Sequence, residues 1–181
     1  MSQVRRVEIQ QLPDSIEVFV ALRNDLAHTP CGGAAMMVVA LEAYTRDEEL
    51  GRQCLTVAVD RSRLVEGTKG WKSVQLGKRE FDLLRRQLET HPHLPRTYFV
   101  GTDVTEGYRL LDFPLVVECS DNVYSGDVDA GSYKVFVACS GADSPRPVTL
   151  QINQKGIWKA SEWSSLLSGV RAPGKPVIDD L

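Results

Sequence analysis

The sequence has no excess of positive charge, no long apolar run and few of the residues that usually do chemistry. Lysine and arginine number 21 against 24 aspartates and glutamates, a net charge of −3, and the two signs are interspersed. Binding to a nucleic-acid backbone rests on neutralising phosphates and needs a basic excess or a basic stripe. Neither is present, so no nucleic-acid partner is expected. The densest basic cluster, Lys78, Arg79, Arg85 and Arg86, is shared with Glu80, Asp82 and Glu89 and reads as a solvated helix face. The longest apolar stretch, Ala34–Leu41, has 8 residues, against the roughly 20 that a membrane-spanning helix needs. No membrane partner is expected either. Met1 is followed by Ser-Gln-Val-Arg-Arg with no apolar run behind it, so no secretory signal is predicted.

Cysteine and histidine are scarce, at 4 and 3 residues. None of Cys31, Cys54, Cys119 and Cys139 forms a C-x-x-C pair. Reduced thiols packed as small hydrophobes, and a cytoplasmic location, are the expectation. His28 and Cys31 stand three apart, and His91 and His93 two apart, but a zinc site wants three or four convergent ligands. The pairs lie far apart in sequence, so neither a metal nor another cofactor is expected. A Cys31–His28 nucleophile pair would have no orienting acid except Asp25. Thr29-Pro-Cys-Gly-Gly33 puts glycines at a helix start, where free N–H groups can hold an anion. No strand precedes it and no lysine follows, so it meets neither the P-loop nor the dinucleotide pattern. No internal repeat and no low-complexity segment occurs.

What is present is a change of period halfway along the chain. The first half is helical. Asp14 and Glu17 have the spacing of a capping box ahead of Ile16, Phe19, Leu22 and Leu26. Thr29-Pro30 launches Ala34–Tyr44, which is apolar around most of its circumference and is therefore predicted to be central. Asp47-Glu-Glu49 opens a third helix reaching about Asp60, and a fourth runs from about Lys78 to Thr90. Arg61–Leu76 reads as a connection, open between a loop and a hidden short strand. In the second half Leu110–Cys119, Ser132–Ser140, Val148–Asn153 and Ile157–Ser164 alternate with period two and predict an antiparallel meander. Val4–Ile9 is a candidate edge strand, and Asp121–Gly131 a polar, flexible loop. The expected fold is α+β, with about four N-terminal helices on a C-terminal antiparallel sheet of about four strands. It forms a single domain over residues 1–171, followed by an irregular tail over 172–181.

Three runs carry a resemblance: Tyr133-Lys-Val-Phe-Val137, Ser140-Gly-Ala-Asp-Ser-Pro-Arg-Pro-Val-Thr-Leu150, and Trp158 with Trp163-Ser-Ser-Leu-Leu-Ser-Gly-Val-Arg171. Together with Gly33-Ala-Ala-Met-Met-Val-Val-Ala-Leu41, Tyr44 and Asp47-Glu-Glu-Leu50 they resemble a domain-of-unknown-function family of bacterial proteins. That resemblance implies no activity and no catalytic residue. More loosely, the order of helices before a sheet is similar to cystatin-like and nuclear-transport-factor-2-like folds, which host enzymes and binding modules alike.

Five residues stand out as candidate binding positions. Asp143, Ser144 and Arg146 lie in a stiff polar turn, with Arg146 held between Pro145 and Pro147. They either present an arginine fork to a carboxylate or phosphate, or cap the turn itself, with Arg146 paired to Asp143 or Glu162. Trp158 and Glu162 would share a strand face, opposite Trp163, and a tryptophan beside a carboxylate can raise its pKa. A core tryptophan with an edge glutamate is the commoner arrangement. No catalytic residue is assigned. The expected function is a non-catalytic interaction or self-assembly domain, meeting a protein partner or a second copy through the sheet face. The alternative is a small-molecule pocket or enzyme between helices and sheet, with Asp143 or Glu162 as acid or base and Tyr108 or Tyr133 as donor.

Overall fold

The computed structural model describes residues 2–174. In chain order its elements are β1 (Val4–Ile9), α1 (Ile16–Leu26), α2 (Pro30–Arg46), α3 (Glu48–Ala58), β2 (Leu64–Trp71), β3 (Val74–Leu76), α4 (Lys78–Thr90), β4 (Leu115–Ser120), β5 (Ser132–Val137), β6 (Arg146–Ile152) and β7 (Trp158–Glu162). The fold is α+β. An antiparallel sheet of order β1-β4-β5-β6-β7 carries the helices, and β2 and β3 form a separate ribbon. The fifth strand is the N-terminal candidate: β1 pairs with β4 from Val4 opposite Ser120 to Ile9 opposite Leu115.

The helix starts follow local chemistry. The Thr29 hydroxyl accepts the Gly32 N–H at 3.0 Å, and the Asp47 carboxylate accepts that of Leu50 at 3.1 Å. At α1 the cap is Ser15, whose hydroxyl accepts the Val18 N–H at 3.2 Å, rather than Asp14. Helix α2 is buried on every side from Cys31 to Tyr44. One side lies on the sheet, and α1 and α3 cover the other. That two-sided cover is why its sequence shows no polar stripe. Its close approach to the sheet depends on Gly33, where a Cβ would stand 2.6 Å from the Trp158 carbonyl oxygen. One acid is buried with it. Glu42, 3% exposed, accepts the Arg46 Nε–H on both carboxylate oxygens at 2.9 Å.

The structure decides one segment left open and corrects the limits of one strand. Arg61–Leu76 is mostly the β2–β3 ribbon, turned by Lys72 and Ser73 at φ 51° and 65°. Such left-handed turns are usually announced by Asn-Gly, and Lys-Ser gives no such signal. β4 begins at Leu115 rather than Leu110, just past Pro114, which has no N–H to give to a ladder. Asp121–Gly131 is pinned by its own side chains: Asn122 accepts the Tyr124 N–H at 2.8 Å, and Asp127 that of Asp129 at 3.0 Å. Residues 172–174 run on without regular structure, and the Gly174 N–H meets the Val104 carbonyl at 2.7 Å. The rest of the expected tail lies outside the described residues.

The strand registers define two sheet faces. Ile9, Val117, Val137, Val148, Leu150 and Ala160 point inward onto α2 and belong to one buried cluster. On the outer face Val4, Ser120, Phe136 and Pro147 line up across four strands. Charged rows flank this line. Arg6 meets Glu118 at 3.2 Å on one side, and Lys134, Thr149 and Glu162 stand in register on the other.

Candidate functional site

The Ser140–Pro147 segment does not present its arginine outward. Arg146 is the first residue of β6, opposite Val137, and Pro147 stands opposite Phe136. The Pro147 position lies beyond the reach of β7, whose pairing starts at Thr149, so β7 asks no N–H of it. The Arg146 Nη2–H donates to the Gly169 carbonyl at 2.9 Å, while its Nε is buried without a partner. The expected pairing with Asp143 or Glu162 is absent. Asp143, almost fully exposed, pairs instead with the Arg171 guanidinium. Ser144 is exposed, and no side-chain hydrogen bond involves it among the described residues. Backbone bonds run the same way: Ser140 N–H to the Thr97 carbonyl at 2.8 Å, and Arg171 N–H to the Gly141 carbonyl at 2.9 Å. The turn is therefore a seat for the chain's own segment from Gly169 to Arg171.

Trp158 and Glu162 do not share a face. Leu150 stands opposite Ala160 but Thr149 opposite Glu162, so Ser161 is an extra residue, a bulge in β7. The bulge shifts the alternation by one. Trp158 and Trp163 are both buried, and Glu162 turns outward. There its carboxylate accepts the Ser164 hydroxyl at 2.6 Å and the Ser164 N–H at 3.0 Å. These bonds hold it below the usual carboxylate range, the Ser164 hydroxyl contributing most. An acid tuned in that direction suits a cap and not a general acid at neutral pH.

Two of the expected residues do meet. Trp158 and Tyr133 line a pocket of about 250 Å3 between the start of α2 and the ends of β1, β4 and β5. Arg5, His28, Thr29, Cys31 and Asp121 are among its polar lining, so the His28–Cys31 pair borders it too. The Tyr133 hydroxyl donates to Asp121 at 2.7 Å, and the Gln3 N–H to the same carboxylate at 3.0 Å. Asp121 is thereby lowered, by the Gln3 amide first and the tyrosine second. Tyr133 is raised, by burial and then by Asp121. The first turn of α2 offers less than its glycines promise. The Gly32 N–H is taken by Thr29, and a Cβ on Gly32 would overlap the Leu26 carbonyl. These glycines serve close packing. Cys119 lies against Cys31, and that contact together with burial pushes its thiol well above the usual range.

The remaining candidates sit elsewhere. Tyr108 is buried, its hydroxyl on the Arg171 carbonyl at 2.7 Å, and its ring stacks on His93 at 5.6 Å between centroids. Asp143 and Glu162 lie outside the Trp158–Tyr133 pocket. Among the described residues no three His, Cys, Asp or Glu side chains gather as a metal site. A wider groove of about 470 Å3 between α3, α4 and the β2–β3 ribbon carries charges of both signs, with Arg52 stacked over Phe81 at 3.9 Å. The pocket residues Arg5, Cys119 and Asp121 escaped the sequence reading because only the β1–β4 pairing brings them to α2.

No curated protein and no solved structure matches this chain. A family model does, over residues 11–174, a span that leaves only β1 of the regular elements outside. The chain belongs to the family described as domain of unknown function (DUF6935).

Proposed function

We propose that this is a non-catalytic interaction domain that docks a protein, or a second copy of itself, through its sheet. The observation that carries the reading is the outer apolar line of Val4, Phe136 and Pro147 about Ser120, bordered by charged rows, on the face opposite α2. Phe136, Pro147 and Ser120 remain partly accessible there, and Val4 is 61% exposed. An apolar centre inside a polar rim is the general anatomy of a protein interface. The candidate acids add support, since Asp143 and Glu162 are each committed to a bond within the chain. Four unpaired thiols suit a reducing compartment, and the cytoplasm is the location this reading carries. Fractionation of the tagged protein with a membrane or exported pool would refute that location. Sedimentation across a tenfold concentration range tests the function. Wild type is expected above the monomer mass, and a monomer throughout that range would refute self-assembly through the sheet.

The Trp158–Tyr133 pocket favours a second reading, a small-molecule site at the helix–sheet junction. Its volume of about 250 Å3 falls just below the roughly 300 Å3 at which ligand sites begin, and Tyr133, Asp121 and Arg5 all line it. A thermal-shift screen with small organic acids and amines tests it. A ligand that raises the melting temperature of wild type but not of Tyr133→Phe would move the assignment here.

A further inference from the structure

β1 is an edge strand, and its outer side is open. The opposite edge is not: the Trp158 N–H of β7 meets the Ala27 carbonyl at 2.8 Å, and the Asp60 N–H meets the Ala160 carbonyl at 2.7 Å. The Asp121 N–H donates to the Gln3 carbonyl at 3.3 Å. In an antiparallel ladder this sets the parity. Gln3, Arg5, Val7 and Ile9 turn their peptide groups toward β4, and Val4, Arg6 and Glu8 turn theirs outward. Outside the ladder, no backbone bond involves Val4, Arg6 or Glu8 among the described residues. No proline or bulge blunts this strand, and its pairing with β4 is unbroken over six residues. Such an edge is a template for another strand.

We propose that the strand is a second copy's β1, paired antiparallel across a two-fold axis at Val7, so that two five-stranded sheets become one. The charges on the edge select this register. Crossing at Val7 sets Arg6 opposite Glu8 of the second copy, twice over, with Val7 opposite Val7. Crossing at Arg5, Arg6 or Glu8 would set like charges directly opposite, which is destabilising in a cross-strand pair. The favoured register also satisfies the parity, because the outward peptide groups of Arg6 meet those of Glu8 of the second copy. The side chains agree. Arg6 stands 3.2 Å from Glu118 on the outer face, whereas Glu8 has no ion pair among the described residues. The second copy's Arg6 supplies one, extending the row to Glu118, Arg6 and Glu8 across the junction. An isologous contact of this kind closes on itself as a dimer.

The inference rests on the interaction reading and fails separately from it. Sedimentation equilibrium of the full chain is expected to give a dimer. R6E and E8R should each weaken it about tenfold or more, since each makes both charge pairs alike. The decisive step is mixing. The R6E chain carries two negative positions on its edge and the E8R chain two positive ones, so an equimolar mixture is expected to recover the dimer as a heterodimer. Unchanged melting curves of the separate variants show that neither has lost its fold. A dimer indifferent to both substitutions, or one that mixing fails to restore, overturns the β1 pairing and leaves self-assembly standing. A wild-type monomer overturns it as well. If that monomer also gains stability from a small molecule in the Trp158–Tyr133 pocket, the interaction reading falls with it.

Discussion

Trp158 and Glu162, four residues apart on β7, lie on opposite faces of the sheet because Ser161 bulges between them. The tryptophan closes the core under α2, and the glutamate caps the turn that follows at Ser164. The two residues therefore answer differently to truncation. Trp158→Ala is expected to cost about 3–5 kcal/mol, as a large core aromatic does. Glu162→Gln should lose only the charge of an exposed cap and leave the fold in place. Chemical denaturation of both variants checks the contrast, and equal losses would refute the placement.

Gly33 fixes the distance between α2 and the sheet. An alanine methyl there would press on the Trp158 carbonyl and the Leu150 side chain, at 2.6 and 2.5 Å. Backbone cannot step aside as a side chain can. Gly33→Ala is expected to destabilise by about 1–3 kcal/mol although alanine is the better helix former. An increase in stability would show that the helix can shift.

Arg146 ties β6 to the segment after the last turn through the Gly169 carbonyl. Arg146→Ala should cost about 1.5–3 kcal/mol, the worth of a charged donor on a carbonyl. Amide exchange of the Arg171 N–H, bonded to the Gly141 carbonyl, should quicken with it. Unaltered exchange with weakened partner binding would restore the reading of Arg146 as a contact residue.

Glu42 and Arg46 form an ion pair whose acid is within the core. Burial raises Glu42, and the arginine opposes that shift. Removing the arginine strands a buried charge, so Arg46→Ala is expected to lose about 3–5 kcal/mol. Arg46→Ala/Glu42→Leu should recover most of it, and a double-mutant cycle measures the coupling.

Lys159 gives the fold a dependence on alkaline pH. Burial, with the Arg23 guanidinium close by, holds its ammonium down to about 8 from an ordinary value of 10.5. Between these values the unfolded chain keeps the proton that the folded chain has released. The unfolded state then binds more protons, so stability rises with pH through that window and is least favoured below it. The gain is on the order of 3 kcal/mol. Lys159→Met should flatten the slope, and urea midpoints measured from pH 7 to 10.5 would show it.

The sequence by itself determined the elements whose signals are local. Thr29-Pro30 and Asp47 set helix starts through their own side chains, and the apolar circumference of Ala34–Tyr44 announced a central helix. The period-two runs gave strands within a few residues of their limits, and Val4–Ile9 was legible as a strand. The tertiary structure decided the rest, for physical reasons that single residues do not display. Lys72-Ser73 takes a left-handed turn because the β2–β3 pairing imposes it. Ser161 carries no bulge signature, yet it inverts the face of Glu162. Asp143 and Arg146 looked like partners across a short turn, but the chain returning at Gly169–Arg171 supplies each with a different one. The same is true of the edge and the pocket. Arg5, Arg6 and Glu8 are ordinary charges along a strand, and only their pairing with β4 puts Arg5 beside the start of α2 and turns the peptide groups of Arg6 and Glu8 outward.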